Sequence, residues 1–502
     1  TGIRIGWTDA RTFAFQGTVK TAGGVDLDAD LTLSPDDWHL RRLRFSDGSS
    51  QVNASARQSA DSLTLDFSGN VEKATADRIL ADNRTLSGGL EGDFQVVVDS
   101  RNPMSSAFTG KLSGRGLHLR ALLPDTVDID HFAVEGSGDR MRIAPARLTW
   151  RESHLEVTGV VASGEGGLTV DLQVDADKLD ADAIRTLGNV SPDDGGSDAP
   201  SEGGPSMAAQ GRIQLDIAEF SYEPFIWSPV EAEMRLNGKT MDIRIDRADL
   251  CGIATTGSIA LSSDGVNVQI DPSASDASLQ ATADCLLTRP IRAEARYDLS
   301  GRITLPASRT DPIRAMTGRV EFSSRNGKII HGNILMKILS VLNLTEVFAG
   351  AGSDLAEKGY GYETAHVAAD IGDGKMMFEE ILFDGKSLKI TGQGRIDLVD
   401  RMVDVTLLAA PLKTVDRIVN KIPVISYIAG GSLVSIPLHL KGKMDNLTVV
   451  PMSPSAVGKG LLNIMGRTLK DPFKLVEGAA EFASEAGGAT NQPPKDTRQK
   501  GP

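Results

Sequence analysis

Leu63-Thr64-Leu65-Asp66-Phe67 alternates apolar and polar side chains, which is the pattern of a β-strand with one apolar and one polar face. A tetrapeptide of helical character, Asp77-Arg78-Ile79-Leu80, follows after a short spacer. The same order recurs twice, and the Asp lies 13 or 14 residues after the first strand residue in each copy. The further copies are Leu168-Thr169-Val170-Asp171-Leu172 with Asp182-Ala183-Ile184-Arg185, and Val403-Asp404-Val405-Thr406-Leu407 with Asp416-Arg417-Ile418-Val419. We therefore predict a unit repeated at least three times, and such arrays typically bind ligands along their length.

The composition indicates many short strands joined by tight turns. Of the 502 residues, 40% are hydrophobic, only 5% are aromatic and 52 are glycine. A further alternating stretch, Val266-Asn267-Val268-Gln269-Ile270, has the same character. We predict a mainly β chain built from antiparallel sheet. The net charge of -14 excludes a nucleic-acid partner, which would require a basic surface to displace counterions.

Changes in composition divide the chain into five segments. Residues 1–187 hold the first two repeats, and residues 188–210 are predicted to form a flexible linker or loop because Gly, Pro, Ser and Asp dominate them. Strands resume over residues 211–452. Residues 453–483 are predicted to form an amphipathic helical end, and residues 484–502 a disordered tail.

Three stretches have helical rather than strand periodicity. Residues 333–349 combine a broad apolar face with a narrow polar stripe. Residues 411–422 predict a second helix, because Pro411 suits a first turn and a later proline would end the helix. Residues 455–482, with a break near Asp471-Pro472, intersperse Lys and Arg among apolar residues.

The chain begins Thr1-Gly2-Ile3-Arg4, without an initiator Met or an apolar leader, and contains no transmembrane run. We interpret it as a processed piece of a longer protein whose anchor or export signal has been removed. Two cysteines, Cys251 and Cys285, leave two interpretations open. They form a disulfide in an exported protein, or they are small buried residues in neighbouring strands.

No motif for a catalytic centre, a cofactor or a metal site is found. The seven histidines are dispersed without zinc-binding spacing, and no nucleophile elbow or Walker-type phosphate loop occurs. The acidic run at residues 175–182 lacks the Gly and terminal Glu of a calcium loop, so we interpret it as a solvated face. The Asp of each repeated tetrapeptide is interpreted as a helix-start residue. We expect no enzyme, no cofactor and no bound metal.

The apolar positions of the repeated strands have two interpretations. They form a closed β core, which periodicity alone favours, or they face an open groove that would require an apolar ligand such as an acyl chain. These candidate groove positions are Leu63, Leu65, Phe67, Leu168, Val170, Leu172, Val403, Val405 and Leu407.

Residues 385–470 combine several segments in a fixed order. A strand from Gly385 to Leu398 is followed by Pro411-Leu412-Lys413-Thr414-Val415-Asp416-Arg417-Ile418, then by Ile422 to Gly431, and finally by the strand from Val434 to Gly442. In this combination the segments resemble the C-terminal region of the AsmA-like family, which includes TamB- and YhdP-type proteins. Proteins of this family are bridge-like lipid transfer proteins: elongated β grooves anchored in the inner membrane that cross the periplasm and move phospholipid toward the outer membrane.

The resemblance implies an elongated, repeated antiparallel sheet that forms a curved groove, with a few amphipathic helices near the C-terminus. The groove positions would then contact phospholipid acyl chains in a cell-envelope protein of the periplasm. The helices would contact a membrane surface, or pack on the sheet and close its open end. The membrane-contact candidates are Leu335, Ile338, Leu339, Leu342, Leu461, Leu462, Met465 and Phe473.

Two other functions remain as alternatives. One is a structural or assembly factor that binds outer-membrane proteins at its sheet edges by β-augmentation. The other is a carbohydrate-active β-solenoid enzyme, which would require two carboxylates that converge in a cleft.

Overall fold

A computed structural model describes most of the chain. The described residues are 4–9, 12–21, 24–34, 37–59, 61–79, 83, 85–101, 106–119, 127–164, 167–181, 209–263, 265–287, 291–306, 311–331, 333–341, 359–385, 388–411, 427–428, 434–444 and 446–470.

The chain divides into two compact units. The N-terminal unit comprises Thr1–Leu250 with Ser258–Asp264, and the C-terminal unit comprises Cys251–Gly257 with Gly265–Pro502. The strand β17, Ile253–Ser262, contributes to both. The division predicted from linker composition stays a prediction.

In the described residues of the N-terminal unit, strands predominate and a short helix, α1, spans Lys73–Ile79. Its strands are β1 Arg4–Asp9, β2 Thr12–Lys20, β3 Asp26–Leu33, β4 Trp38–Ser46, β5 Gln51–Gln58, β6 Ser62–Glu72, β7 Leu86–Asp99, β8 Ala107–Leu119, β9 Val127–Ser137, β10 Arg140–Trp150, β11 Ser153–Gly164, β12 Gly167–Asp180, β13 Ala209–Tyr222, β14 Phe225–Trp227, β15 Val230–Gly238 and β16 Thr240–Leu250.

In the C-terminal unit, strands again predominate and the helices are short. The strands are β18 Gly265–Ser278, β19 Arg292–Leu305, β20 Thr317–His331, β21 Tyr360–Gly372, β22 Lys375–Gly385, β23 Leu388–Asp397, β24 Met402–Pro411, β25 Tyr427–Ile428, β26 Val434–Lys443 and β27 Asn446–Pro451. The helices are α2 Leu279–Leu286, α3 Pro312–Ala315, α4 Asn333–Val341 and α5 Lys459–Lys470, with a 3-10 turn at Pro454–Ala456.

Strands that follow each other in sequence pair antiparallel, as short turns require. This holds from β1 to β12 in the N-terminal unit, where β12 then pairs parallel with β13. It also holds from β18 to β24 in the C-terminal unit, followed by β26 and β27. Each unit is an open, curved sheet, so the prediction of a mainly β, repeated antiparallel fold is confirmed.

The helix of the repeated unit differs from the prediction. In the first copy β6 runs directly into α1 without a spacer, and Asp77 is the fifth residue of that helix rather than its start. Its carboxylate accepts a hydrogen bond from Lys73 one turn earlier, a pairing that helix geometry favours. The corresponding Asp182 and Asp416 lie outside the described residues.

Other predicted boundaries also shift. Pro411 does not start a helix but is the last residue of β24, where its register partner is Leu388. A proline is tolerated at this strand end because no N–H donor is needed there. β13 begins at Ala209, inside the predicted linker, since its pairing with β12 starts there. The rest of the linker, residues 412–422, Leu342, Phe473 and the predicted tail lie outside the described residues.

Candidate functional site

The register of the N-terminal unit places the predicted groove positions of two repeats on one face of the sheet. Register partners point to the same face, so a row of partners identifies that face across many strands. One row starts at Phe67 on β6 and ends at Val170 on β12. The intervening partners are Phe94, Gly110, Gly136, Met141 and Val161.

We call this surface the N-terminal apolar face. Leu63 and Leu65 lie on it with Phe67, because they alternate along the same strand, and Leu168 and Leu172 lie on it with Val170. Except for the buried Val170, these side chains are only partly buried. These positions therefore share one face of the sheet, and that face retains accessible apolar surface.

Little of the described structure covers this face near β6–β8, whereas Trp150, Ala176 and Ile217, on the same face farther along the sheet, are buried in one cluster. The strands contact mainly their hydrogen-bonded neighbours, and α1 packs against one end, where Ile79 lies with Phe45 and Val52. The sheet is thus a single layer over most of its described length. A single layer cannot bury both faces, so an apolar face of this extent requires a ligand or another cover.

Glycines let aromatic rings lie across this face. A Cβ atom on Gly136 would stand 2.1 Å from Cδ1 of Phe108, so only glycine permits the ring to cross β9. The rings of Phe94 and Phe108 have centroids 5.5 Å apart, and Phe67 stacks on Phe94 at 5.2 Å. The result is a continuous aromatic patch within the row from Phe67 to Val170.

In the C-terminal unit the corresponding positions form a packed core. Val403, Val405 and Leu407 are all buried, and they belong to one cluster with Leu335 and Ile338 of α4. The closed-core interpretation therefore describes this part of the chain. We call this surface the covered face.

The predicted membrane-contact residues that the structure describes lie against the sheet. Ile338 is buried and Leu335 partly buried on the covered face, whereas α5 packs on the opposite side of β24. There Leu461 and Met465 are buried against Leu408, and Leu462 adds to the contact. The side chain of Leu339, together with Leu342 and Phe473, lies outside the described residues. Membrane contact by these helices stays a prediction.

The polar face of the sheet carries ion pairs between neighbouring strands and within one strand. In the C-terminal unit the Arg319 guanidinium contacts Glu379 at 2.8 Å and Glu321 and Asp370 at 3.0 Å. The hydrogen bond with Glu379, together with that of Glu321, raises the pKa of Arg319 despite partial burial. These contacts keep the guanidinium charged and the face hydrated.

Cavities of about 540 and 760 Å³ open on the polar face of the N-terminal unit. Acidic side chains in the larger one lie opposite basic ones in the register: Glu135 faces Lys111 on β8, at 3.3 Å, and Arg142 on β10. Such alternation is typical of a solvated sheet surface rather than a pair of catalytic carboxylates.

Hydrogen bonds and an ion pair attach α1 to the turn between β4 and β5, and we call this set of contacts, made by Thr75, Arg78, Asp47 and Ser50, the joint. Thr75 is fully buried; its hydroxyl donates to Asp47 at 2.7 Å and accepts from Ser50 at 2.7 Å. The Thr75 hydroxyl, followed by the backbone amides of Ser49 and Ser50, holds the pKa of Asp47 well below its usual range. Arg78 also pairs with Asp47.

The C-terminal unit contains a copy of this joint that the strand spacing did not predict. The sequence of α2 repeats residues 74–77 of α1 as Ala281-Thr282-Ala283-Asp284, and this shared tetrapeptide is the feature from which the copy could have been predicted. The Thr282 hydroxyl donates to the backbone oxygen of Cys251 at 2.9 Å, in the turn between β16 and β17. A Cys251–Cys285 disulfide stands where Asp47 pairs with Arg78 in the first copy. One cysteine lies in a turn and the other in a helix, so the alternative of neighbouring strands is wrong.

Two features are absent from the described residues. No helix among them has both the length and the apolarity to cross a bilayer. No group of three or more His, Cys, Asp or Glu side chains in the same residues is placed to hold a metal ion.

An open antiparallel sheet with one accessible apolar face is the architecture expected of AsmA-like proteins. A model of the family described as YhdP protein matches residues 8–446, and the chain belongs to this family. The match confirms the predicted resemblance and extends it over both units. No curated protein and no solved structure matched the chain. The family is generally non-enzymatic, associated with the cell envelope, and linked to lipid transport and envelope biogenesis.

Proposed function

We propose that this protein transports phospholipid by holding acyl chains on the N-terminal apolar face, without catalysis. The observation that supports the proposal most directly is the row from Phe67 to Val170, whose side chains share one face of a single-layer sheet. Leu65 and Leu172, on the same face, are only partly buried. Acyl chains would bury this accessible surface.

The energetics of transfer along such a face require no chemical step. Each methylene of an acyl chain gains about 0.8 kcal/mol on leaving water. A chain that moves from one strand to the next exchanges one apolar contact for another, so the barrier to movement is small. The lipid headgroup remains beyond the edge of the apolar face, in water.

We further propose that the protein acts in the periplasm, between the inner and outer membranes, where phospholipid and a membrane surface are its partners. The Cys251–Cys285 disulfide supports this compartment, because disulfides persist in oxidising environments.

The test uses phospholipid with a photoactivatable group on its acyl chain. Purified protein is incubated with vesicles that contain this lipid, irradiated, and digested for mass spectrometry. We expect labelled peptides from β6 and β12. Leu65→Asp combined with Val170→Asp should lower the labelling at least about tenfold, a loss of about 1.4 kcal/mol in binding.

The matched control places the same charges on the opposite face of the same strands, as Thr64→Asp with Thr169→Asp. This variant should bind lipid like the unmodified protein, and circular dichroism checks that both variants fold. Absence of labelled peptides from the unmodified protein, together with absence of co-purified lipid, would refute the proposal.

The assembly-factor hypothesis predicts a different result. If the sheet edges bind outer-membrane proteins, the Leu65 and Val170 changes should leave that binding intact, because β-augmentation uses backbone groups of an edge strand.

A further inference from the structure

Exposure decreases along one row of register partners in the C-terminal unit. The row starts at Leu299 on β19 and reaches Leu407 on β24 and Leu438 on β26. The strands between them contribute Phe322, Val367, Ile381 and Gly392. Leu299 is partly buried, but Leu407 is 4% exposed and Leu438 0%. The row is apolar throughout, so the change comes from what covers it.

The cover is α4. Ile338 is 3% exposed, and it packs with Leu335 and Val341 in one cluster with the strand residues of the covered face. α4 also contacts β27, where Lys337 Nζ donates a hydrogen bond to the Leu447 backbone oxygen at 2.6 Å. That hydrogen bond is exposed to solvent. The attachment is therefore mainly apolar, with a polar contact at its edge.

The sheet under α4 has the same construction as the uncovered part of the row. A Cβ atom on Gly392 would stand 2.6 Å from Cδ2 of Leu407, so the glycine allows Leu407 to lie flat between β22 and β24. The apolar surface is therefore continuous across the strands from Ile381 on β22 to Leu438 on β26.

We propose that the covered face is a terminal acyl-chain site, for which α4 and a phospholipid tail compete. This inference rests on the proposed function. α4 presents apolar side chains to the covered face, as an acyl chain would. Replacement of α4 by an acyl chain keeps the strand side chains out of water but exposes the apolar side chains of α4, so the α4-bound state is the more stable one and lipid must offset that exposure. In the α4-bound state lipid stops before β24, and in the other state it reaches β26.

The experiment uses the same photoactivatable phospholipid and maps labelled peptides in two regions, β6 with β12 and β24 with β26. In the unmodified protein we expect strong labelling of β6 and β12 and weak labelling of β24. Ile338→Ala removes contacts of α4 and should raise β24 labelling about fivefold, which corresponds to a shift of about 1 kcal/mol toward the open state. Ser340→Ala, at an exposed position of the same helix, should leave the pattern unchanged.

A covalently fixed α4 gives the opposite change. Lys337→Cys with Asn446→Cys, joined by a short bismaleimide, should abolish β24 labelling and preserve that of β6 and β12. Equal labelling of β24 in the fixed and unmodified proteins would overturn the inference, and so would an Ile338→Ala pattern like that of the unmodified protein. If β6 and β12 are not labelled either, the proposed function itself fails, so the two failures are distinguishable.

Discussion

The two units present the same alternating strands to different surroundings. Leu65 and Leu172 lie on a single-layer sheet and are partly buried, whereas Val405 and Leu407 are buried beneath α4. The helical joints differ likewise. Hydrogen bonds and an ion pair fasten α1 in the N-terminal unit, and a disulfide fastens α2 in the C-terminal unit.

This comparison shows that an apolar strand position is a binding surface or a core position according to what covers it. Periodicity is identical in both cases, because alternation reports only which side of a strand is apolar. In the N-terminal unit the apolar face is accessible, and the joint at α1 depends on the ionised Asp47 carboxylate. In the C-terminal unit the apolar face is covered, and the joint at α2 includes the Cys251–Cys285 disulfide.

Truncation of one leucine in each unit tests the difference in cover. Leu407→Ala should leave a cavity and lower the free energy of unfolding by about 2–5 kcal/mol. Leu65→Ala removes a partly exposed side chain, so we expect a loss of about 1 kcal/mol. Urea titration followed by circular dichroism measures both. Equal losses would contradict the comparison, because they would mean that both faces are covered.

Removal of the covalent joint should have a smaller effect. Cys285→Ser should lower the free energy of unfolding by about 2–4 kcal/mol, because the unfolded chain loses a constraint. Arg78→Ser, at the equivalent position of α1, removes a partly exposed ion pair and should cost about 1 kcal/mol or less. Thermal unfolding with and without reductant is the measurement. Reductant should reproduce the Cys285→Ser loss in the unmodified protein, and it should add nothing to that variant.

Acid should weaken the joint of the N-terminal unit. The pKa of Asp47 is lowered in the folded state from an ordinary value of 3.8, chiefly by the Thr75 hydroxyl. The stabilisation is therefore complete above about pH 4 and is lost as the pH falls toward the folded pKa. Hydrogen-exchange protection of α1 at pH 7 and pH 3 measures the loss. Asp47→Asn should lose less α1 protection between pH 7 and pH 3 than the unmodified protein, because Asp77, whose pKa Lys73 also lowers, still titrates in that helix. An unchanged α1 in the unmodified protein would refute the prediction.

Much of the architecture could be predicted from local patterns. Alternation at residues 63–67 and 168–172 identified strands and their apolar sides, and helical periodicity located α4 and α5. Predictions failed where strand pairing in the folded protein overrode a local sequence preference. Pro411 ended a strand because its place in the β23–β24 ladder outweighed its suitability for a helix start. The fourth copy, at α2, was not predicted from strand spacing, because the signal it shares with α1 is the tetrapeptide Ala-Thr-Ala-Asp.

The sequence by itself determined the mainly β fold, the repetition, the acidic polar surface and the apolar side of each strand, because these depend on neighbouring residues. Only the tertiary structure decided that the apolar side stays accessible around Leu65, Phe67 and Leu172 and is covered around Leu407. It also decided that Cys251 meets Cys285. The physical reason is that cover and cross-linking depend on contacts between residues far apart in the chain, such as Lys337 with Leu447 or Cys251 with Cys285, and strand periodicity contains no information about such contacts.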